Sequence, residues 1–289
     1  MTINLEYTDK VTRHTCENEY GELKKVIVCP PTHMSITEVI NETQKHFLED
    51  NIDETLATKQ HRNFVQAMLA NGVDVYSLPP SEQYPEQVFT RDIGFTLGNT
   101  VFVSSMGSDI RSGEENILKS WLEEQHLSYT PFSGYSVEGG DIIIDRDIVY
   151  IGISGRTSKK ALEHISQSLS EYTVQPIPID KSYLHLDCVF NVISPTEALV
   201  FSPALREEEL NFLSKRYELI EVSKEEQFTM GTNVLSIGNK KIFSLPCNKQ
   251  VNEQLRNRGY EVVEVDISEI IKSGGSFRCC TLPLLRGGK

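Results

Sequence analysis

Several features that would specialise a chain of this length are missing. Its six cysteines, Cys16, Cys29, Cys188, Cys247, Cys279 and Cys280, include no C-x-x-C pair, and its seven histidines include no H-x-x-x-H pair. Without ligands at such spacings a zinc cluster is not expected. An even cysteine count in a long chain that reads as cytosolic is also a poor argument for a disulfide framework, because reducing compartments keep thiols free. No apolar run approaches the roughly 20 residues that a bilayer-spanning helix needs, so no membrane partner is expected. The opening stretch MTINLEYTDKVTRHTC has neither an apolar h-region nor an Arg-rich amphipathic face, which makes a cytoplasmic location the expectation. Basic residues are scarce, 28 against 41 acidic, for a net charge of -13. Such a surface repels phosphate backbones, so no nucleic-acid partner is expected either, and a large part of the charge simply keeps the chain soluble. No Pro/Gly/Ser linker divides the sequence, and residues 1–289 read as one domain.

What is present is a repeat. Five times a helix-like stretch runs into a short β-prone one: AMLANGVDVYSLP, LEEQHLSYTPFSG, LSEYTVQPIPID, LSKRYELIEVS and LRNRGYEVVEVD. The extended parts begin near Val73, Leu127, Thr173, Tyr217 and Tyr260, at intervals of 43 to 54 residues. Phe64, Met68 and Leu69 are expected on one helix face, and Leu210, Leu213 and Phe212 close together on another, with Gly72 and Gly259 where C-terminal caps belong. Further β-branched stretches follow, among them TVFVSS, DIIID, DIVYIGI, EALVFSP and KKIFSLP. Units of one helix and several strands are α/β rather than the all-β blades of a WD-type propeller. Five of them, each needing a neighbour to cover its apolar face, close most economically into a ring whose equivalent loops converge on an axis.

Each extended segment is followed by a short motif: FTRD (89–92), VEGGD (137–141), HLD (185–187), TMGTN (229–233) and GGSFRC (274–279). Taken singly they have plain explanations. FTRD reads as a turn with a solvated ion pair, and EGGD as a tight turn whose glycines supply positive φ. His185 reads as a packed histidine between leucines, and Cys188 as a small core residue. Brought to one axis they place Asp92, Glu138, Asp141, His185, Asp187 and Cys279 together. A thiol can then act as nucleophile, an imidazole as acid and base, and a carboxylate can orient the imidazole. The surplus carboxylates suit a cation, and a planar guanidinium above all. If CCTLPL begins a strand, Cys279 and Cys280 face opposite ways.

In this order, FTRD, EGGD, IGISGRTS, HLDCVF and RCCTLPL resemble the guanidine-modifying enzymes: dimethylarginine dimethylaminohydrolase, arginine deiminase and the arginine amidinotransferases. The resemblance covers nearly the whole chain. It implies the pentein fold, a five-bladed α/β propeller with pseudo-fivefold symmetry, and no metal or organic cofactor. It implies Cys279 as nucleophile, His185 as acid and base, and Glu138 as their carboxylate partner. Asp92 and Asp187 match guanidinium-holding carboxylates, Arg156 an arginine that grips a substrate α-carboxylate, and Glu86 an acid that meets the substrate amino group. Asp141 is left between a site role and a turn-shaping one. The implied reaction is hydrolysis of a guanidine carbon–nitrogen bond in arginine or an N-methylated arginine, giving citrulline and an amine. The chain length and Glu86 resemble the dimethylarginine hydrolases, whereas Asp187 resembles the deiminases and amidinotransferases and RCCTLPL the deiminases, whose usual arginine five residues before the nucleophile is Gly274 here. Amidino transfer or deimination is the alternative within the family, and a non-catalytic binding protein of the same fold the alternative outside it. The partner expected is a small guanidino compound, and a homodimer is left open.

Overall fold

The structure, a computed structural model, describes residue 11 and residues 13–287. The opening stretch read for a leader therefore lies largely outside the described residues. Among them, no helix is long and apolar enough to cross a membrane.

The elements follow the repeat. The first unit holds β1 (Glu22–Val28), α1 (Glu42–Phe47), α2 (Glu54–Ala70) and β2 (Asp74–Ser77). The second holds β3 (Gly94–Leu97), β4 (Thr100–Val103), α3 (Glu114–Glu124) and β5 (Tyr129–Pro131). The third runs β6 (Ile142–Asp145), β7 (Ile148–Ile153), α4 (Lys159–Ser168) and β8 (Thr173–Pro178), and the fourth β9 (Phe190–Val192), β10 (Glu197–Val200), α5 (Glu207–Ser214) and β11 (Glu218–Glu221). After α6 (Lys224–Phe228) come β12 (Leu235–Gly238), β13 (Lys241–Ser244), α7 (Lys249–Asn257) and β14 (Glu261–Glu264), then α8 (Ser268–Ile271) and β15 (Leu282–Gly287).

These make five three-stranded sheets with one plan. The central strand pairs antiparallel with one neighbour and parallel with the strand that returns after the helix, as β4 does with β3 and β5. A parallel partner requires a crossover, and the amphipathic helix supplies it while covering the sheet. Strands such as Ile142–Asp145 are buried on both faces, which explains their continuous β-branched composition. The five strands after the helices begin at Asp74, Tyr129, Thr173, Glu218 and Glu261, close to the spacing read from the repeat. Gly72 and Gly259 take φ of 78° and 80° after α2 and α7, where a left-handed residue ends a helix.

The ring closes through the chain's two ends. The antiparallel partner of β1 is β15, in a register from Glu22 opposite Gly287 to Ile27 opposite Leu282, so the C-terminal strand completes the first sheet. Hydrogen bonds then join every neighbouring pair of units. Thr96 donates to the Pro283 carbonyl at 2.8 Å, and Gly139 N–H donates to the Asp92 carbonyl at 3.0 Å. Leu186 N–H donates to Asp141 at 3.0 Å, Asn191 to the Thr232 carbonyl at 2.8 Å, and Arg286 to the Ser236 carbonyl at 2.9 Å. The result is a five-bladed α/β propeller.

Three local expectations are corrected. Phe64 and Met68 are buried on α2, but Leu69 projects into solvent, and on α5 Leu213 is buried while Phe212 is exposed. Aromatic and leucine side chains near a helix's inner stripe do not all lie on it, because one residue's step turns the side chain by about 100°. Cys279 and Cys280 stand on a turn before β15, not in the strand, with Cys280 N–H bonded to the Ser276 carbonyl at 2.9 Å. Both are nonetheless buried, and both are free thiols.

Candidate active site

Every one of the five motifs ends just before the innermost strand of a blade: Asp92 before β3, Asp141 before β6, Asp187 before β9, Asn233 before β12 and Cys279 before β15. Their convergence is a product of the pseudo-symmetry. Equivalent positions in a ring face the same axis, however far apart they lie in sequence.

His185 is the hub. Its Nε2 lies 2.6 Å from Glu138 Oε2, and its Nδ1 lies 3.6 Å from Asp92 Oδ1. Burial disfavours its charge, but Asp92, Glu138 and Asp141 outweigh burial and raise its pKa, which favours the imidazolium. Burial likewise opposes ionisation of Glu138, and the hydrogen bond and charge of His185, with Arg111 and Arg156, bring its pKa down. The other Glu138 oxygen accepts from the Gly107 N–H at 2.8 Å. Gly140 shows why EGGD needs its glycines. A Cβ there would lie 2.6 Å from Asp92 Oδ1 and 2.8 Å from the His185 ring, whereas neither Gly139 nor Gly140 has a positive φ. Close approach, not the turn conformation read from the sequence, fixes these residues.

Asp141 does not enter the pocket wall. Its carboxylate accepts from Ser154 at 2.6 Å and from the Leu186 N–H at 3.0 Å, which pins the turn carrying His185 and Asp187. Burial raises its pKa to about 7.

Cys279 Sγ lies 3.8 and 3.7 Å from the two oxygens of Asp187. Burial, and then the charges of Asp187 and Asp92, push this thiol well above its ordinary value. Asp187 is also raised, by burial, although Arg278 stands 3.4 Å behind it. Arg278 is in turn held by Glu19 at 2.5 and 3.1 Å.

Cys279, His185, Asp92 and Glu86 line one small cavity with Arg111, Phe89, Ser273, Ile40 and Leu184, whereas Asp187 and Glu138 are not among its lining residues and stand against Cys279 and His185. Glu86 is buried and accepts from Gln44 at 2.7 Å and from Ser273 at 2.8 Å, and burial raises its pKa to about 7. Arg156 does not line this cavity; it lies 3.8 Å from Glu138, in an adjoining pocket that also has Ile40 and Leu184 in its wall.

Arg111 was not legible in the sequence. It pairs with Asp92 Oδ2 at 2.5 Å and with Glu114 at 2.8 Å, so one face of Asp92 already carries a guanidinium. It sits alone in the polar stretch SSMGSDIR, where only its position one blade along could have marked it. Asp92 Oδ1, by contrast, is buried with no hydrogen-bond partner among the described residues. A buried acceptor left open is costly, and in a pocket it is the place for a ligand's donor.

Asp92, Glu138 and His185 could also be read as metal ligands, with one donor atom from each lying within 4.8 Å of the others. The donor set argues otherwise. His185 Nε2 and Glu138 Oε2 already face each other at 2.6 Å, and the guanidinium groups of Arg111 and Arg156 already add positive charge beside Asp92 and Glu138.

Comparisons with known proteins bear on the fold and the family. A solved structure of the N-terminal domain of ArgZ, an arginine dihydrolase from cyanobacteria, superposes with a TM-score of 0.83 over 92% of this chain and 98% of that one, at 24% identity, and shares the pentein fold. The chain is 56% identical to the uncharacterized protein YkgA of Bacillus subtilis, over 94% of this chain and 95% of that protein. It is 27% identical to the N(G),N(G)-dimethylarginine dimethylaminohydrolase of Mycobacterium tuberculosis, over 90% of this chain and 86% of that one. Residues 30–286 match the model of the family described as N,N dimethylarginine dimethylhydrolase, eukaryotic. With a match that spans nearly all of the propeller, the chain belongs to the dimethylarginine dimethylaminohydrolase family, whose members act on guanidino compounds.

Proposed function

We propose that the protein hydrolyses a guanidine carbon–nitrogen bond of arginine or an N-methylated arginine through a covalent intermediate on Cys279, giving citrulline and an amine. The observation that carries this reading is the pocket's charge pattern. The His185 imidazole, the Cys279 thiol and the carboxylates of Asp92 and Glu86 line a single small cavity, and one Asp92 oxygen is left open. An incoming guanidinium donates to Asp92 Oδ1 and to Asp187. It thereby offsets the two charges that hold the Cys279 thiol protonated, so ligand binding and loss of the thiol proton to solvent are coupled.

The thiolate then attacks the guanidinium carbon, forming the carbon–sulfur bond. His185 gives its proton to the departing nitrogen as the carbon–nitrogen bond breaks, and the amine leaves. Neutral imidazole next takes a proton from water, whose oxygen attacks the same carbon. Breaking the carbon–sulfur bond restores the thiolate and releases the ureido product. Glu138 keeps the imidazole ring oriented and favours its charged form through both halves. Arg156 and Glu86 serve the α-carboxylate and α-amino ends of the ligand. Amidino transfer follows from the same intermediate when an amine enters before water.

The test is turnover of arginine, N-methylarginine, dimethylarginines and agmatine, read as ureido product and free amine. The reading expects release from at least one of them, abolished in Cys279→Ser. Product that appears only with an added amine acceptor favours transfer, and no product of either kind from the panel overturns the reading.

A further inference from the structure

Of the five motifs, TMGTN lacks an ionisable group, and the function just proposed makes no use of it. Its last residue, Asn233, is fully buried. Its Oδ1 accepts the Cys279 N–H at 3.1 Å, its Nδ2 donates to the Asp187 carbonyl at 3.1 Å, and its own carbonyl accepts the Arg278 N–H at 3.3 Å. On the far side, Cys279 Sγ meets the Asp187 carboxylate at 3.7 Å. The two turns, from different blades, are thus linked twice, once through the Asn233 amide and once through thiol and carboxylate. Only a carboxamide presents one acceptor and one donor at this fixed separation. The strut is itself braced. Asn191 donates to the Thr232 and Val234 carbonyls at 2.8 Å each, on either side of Asn233, and Thr232 donates to the Cys188 carbonyl at 2.6 Å.

The bond to the Cys279 N–H has a chemical consequence. In acyl transfer the nucleophile's own backbone N–H commonly faces the developing oxyanion. Here that donor is already committed to Asn233, and carboxylates line the pocket. We propose that Asn233 is a positioning residue that fixes the Cys279 sulfur against Asp187 and removes the Cys279 N–H from the reacting side, so that the nucleophile is matched to a planar cation. This rests on the guanidine reading of the pocket.

The test compares alkylation of Cys279 by 2-chloroacetamidine, a planar cation, and by iodoacetamide, which is neutral, located by peptide mass spectrometry in the full chain. Wild type is expected to prefer the cation relative to free cysteine. Asn233→Ala is expected to lose that preference by on the order of 10- to 100-fold, the scale on which small misplacements of reacting groups act. Its melting remains cooperative, and kcat falls more than KM changes. Asn233→Asp keeps the acceptor but adds negative charge, so the pH midpoint of alkylation moves up. Asn233→Ser, which keeps one hydroxyl, and the Asp variant decide the case if the Ala variant does not fold. A folded variant that keeps the full wild-type preference overturns the proposal. A wild type with no preference for the cation overturns the guanidine reading instead.

Discussion

Asp145 and Asp92 are both buried aspartates beside the inner strands of neighbouring blades, and they are treated in opposite ways. Asp145 accepts from Tyr20 at 2.7 Å, from Tyr217 at 2.5 Å, from Arg146 at 2.9 Å and from Arg216 at 3.2 Å. Burial opposes its charge, and these donors overcome it and lower its pKa. Asp92 has Arg111 on one oxygen, while the other, 3.6 Å from His185 Nδ1, has no hydrogen-bond partner among the described residues. A carboxylate satisfied on all sides holds structure together, and one left open is poised for something the chain does not itself supply.

The comparison can be broken most forcefully at the proposed nucleophile. Cys279→Ala should cost about 10⁴-fold or more in kcat with no loss of folding, as removal of a nucleophile usually does; kinetics beside a thermal melt check this. His185→Gln should cost about 10²- to 10⁴-fold, the range for a lost general acid and base. Asp92→Asn should separate the two aspartates directly. Turnover should fall by about 10²-fold or more, since a charge that contacts the reacting cation is lost. Stability should fall less than for Asp145→Asn, because Arg111 keeps Glu114, although His185 loses part of the charge that raises its pKa. Asp145→Asn should do the reverse, lowering stability by about 1–3 kcal/mol in denaturant titrations by unsatisfying buried hydroxyls, while folded molecules keep their kcat. If both substitutions act alike on turnover and stability, the distinction fails.

The smallest expected effect is on pH dependence. His185 has its pKa raised to about 10 in the folded protein, with burial opposed by Asp92 and Glu138. Its contribution to stability is therefore complete below the ordinary histidine value of about 6.5 and is lost as pH rises through about 10. The stability difference between wild type and His185→Gln should shrink across that window. A difference that instead grows with pH would show that the imidazole is neutral in the free protein.

What could be read from the sequence was whatever is local or repeated. The five extended segments and the caps at Gly72 and Gly259 are short-range signals, and the five motifs became a pocket only through the repeat. The rest depends on contacts that no local pattern encodes. The pairing of β1 with β15 spans almost the whole chain. Arg111 is a single basic residue in a polar loop, known by its partner 19 residues earlier, and Asn233 carries no charge to attract notice. The turn at Cys279 and Cys280 was masked by the strand-like letters that follow it. The two thiols differ in their surroundings instead. The Cys279 thiol faces the Asp187 carboxylate, and Cys280, buried in the same apolar cluster, does not line the cavity.

The covalent step is tested most directly by rapid acid quench of the protein turning over its preferred guanidino compound, followed by peptide mass spectrometry. The expected result is an amidino adduct on Cys279 that forms and decays with turnover and is missing in Cys279→Ser. Turnover without any adduct on Cys279, or with the adduct on Cys280 or Cys16, would contradict it.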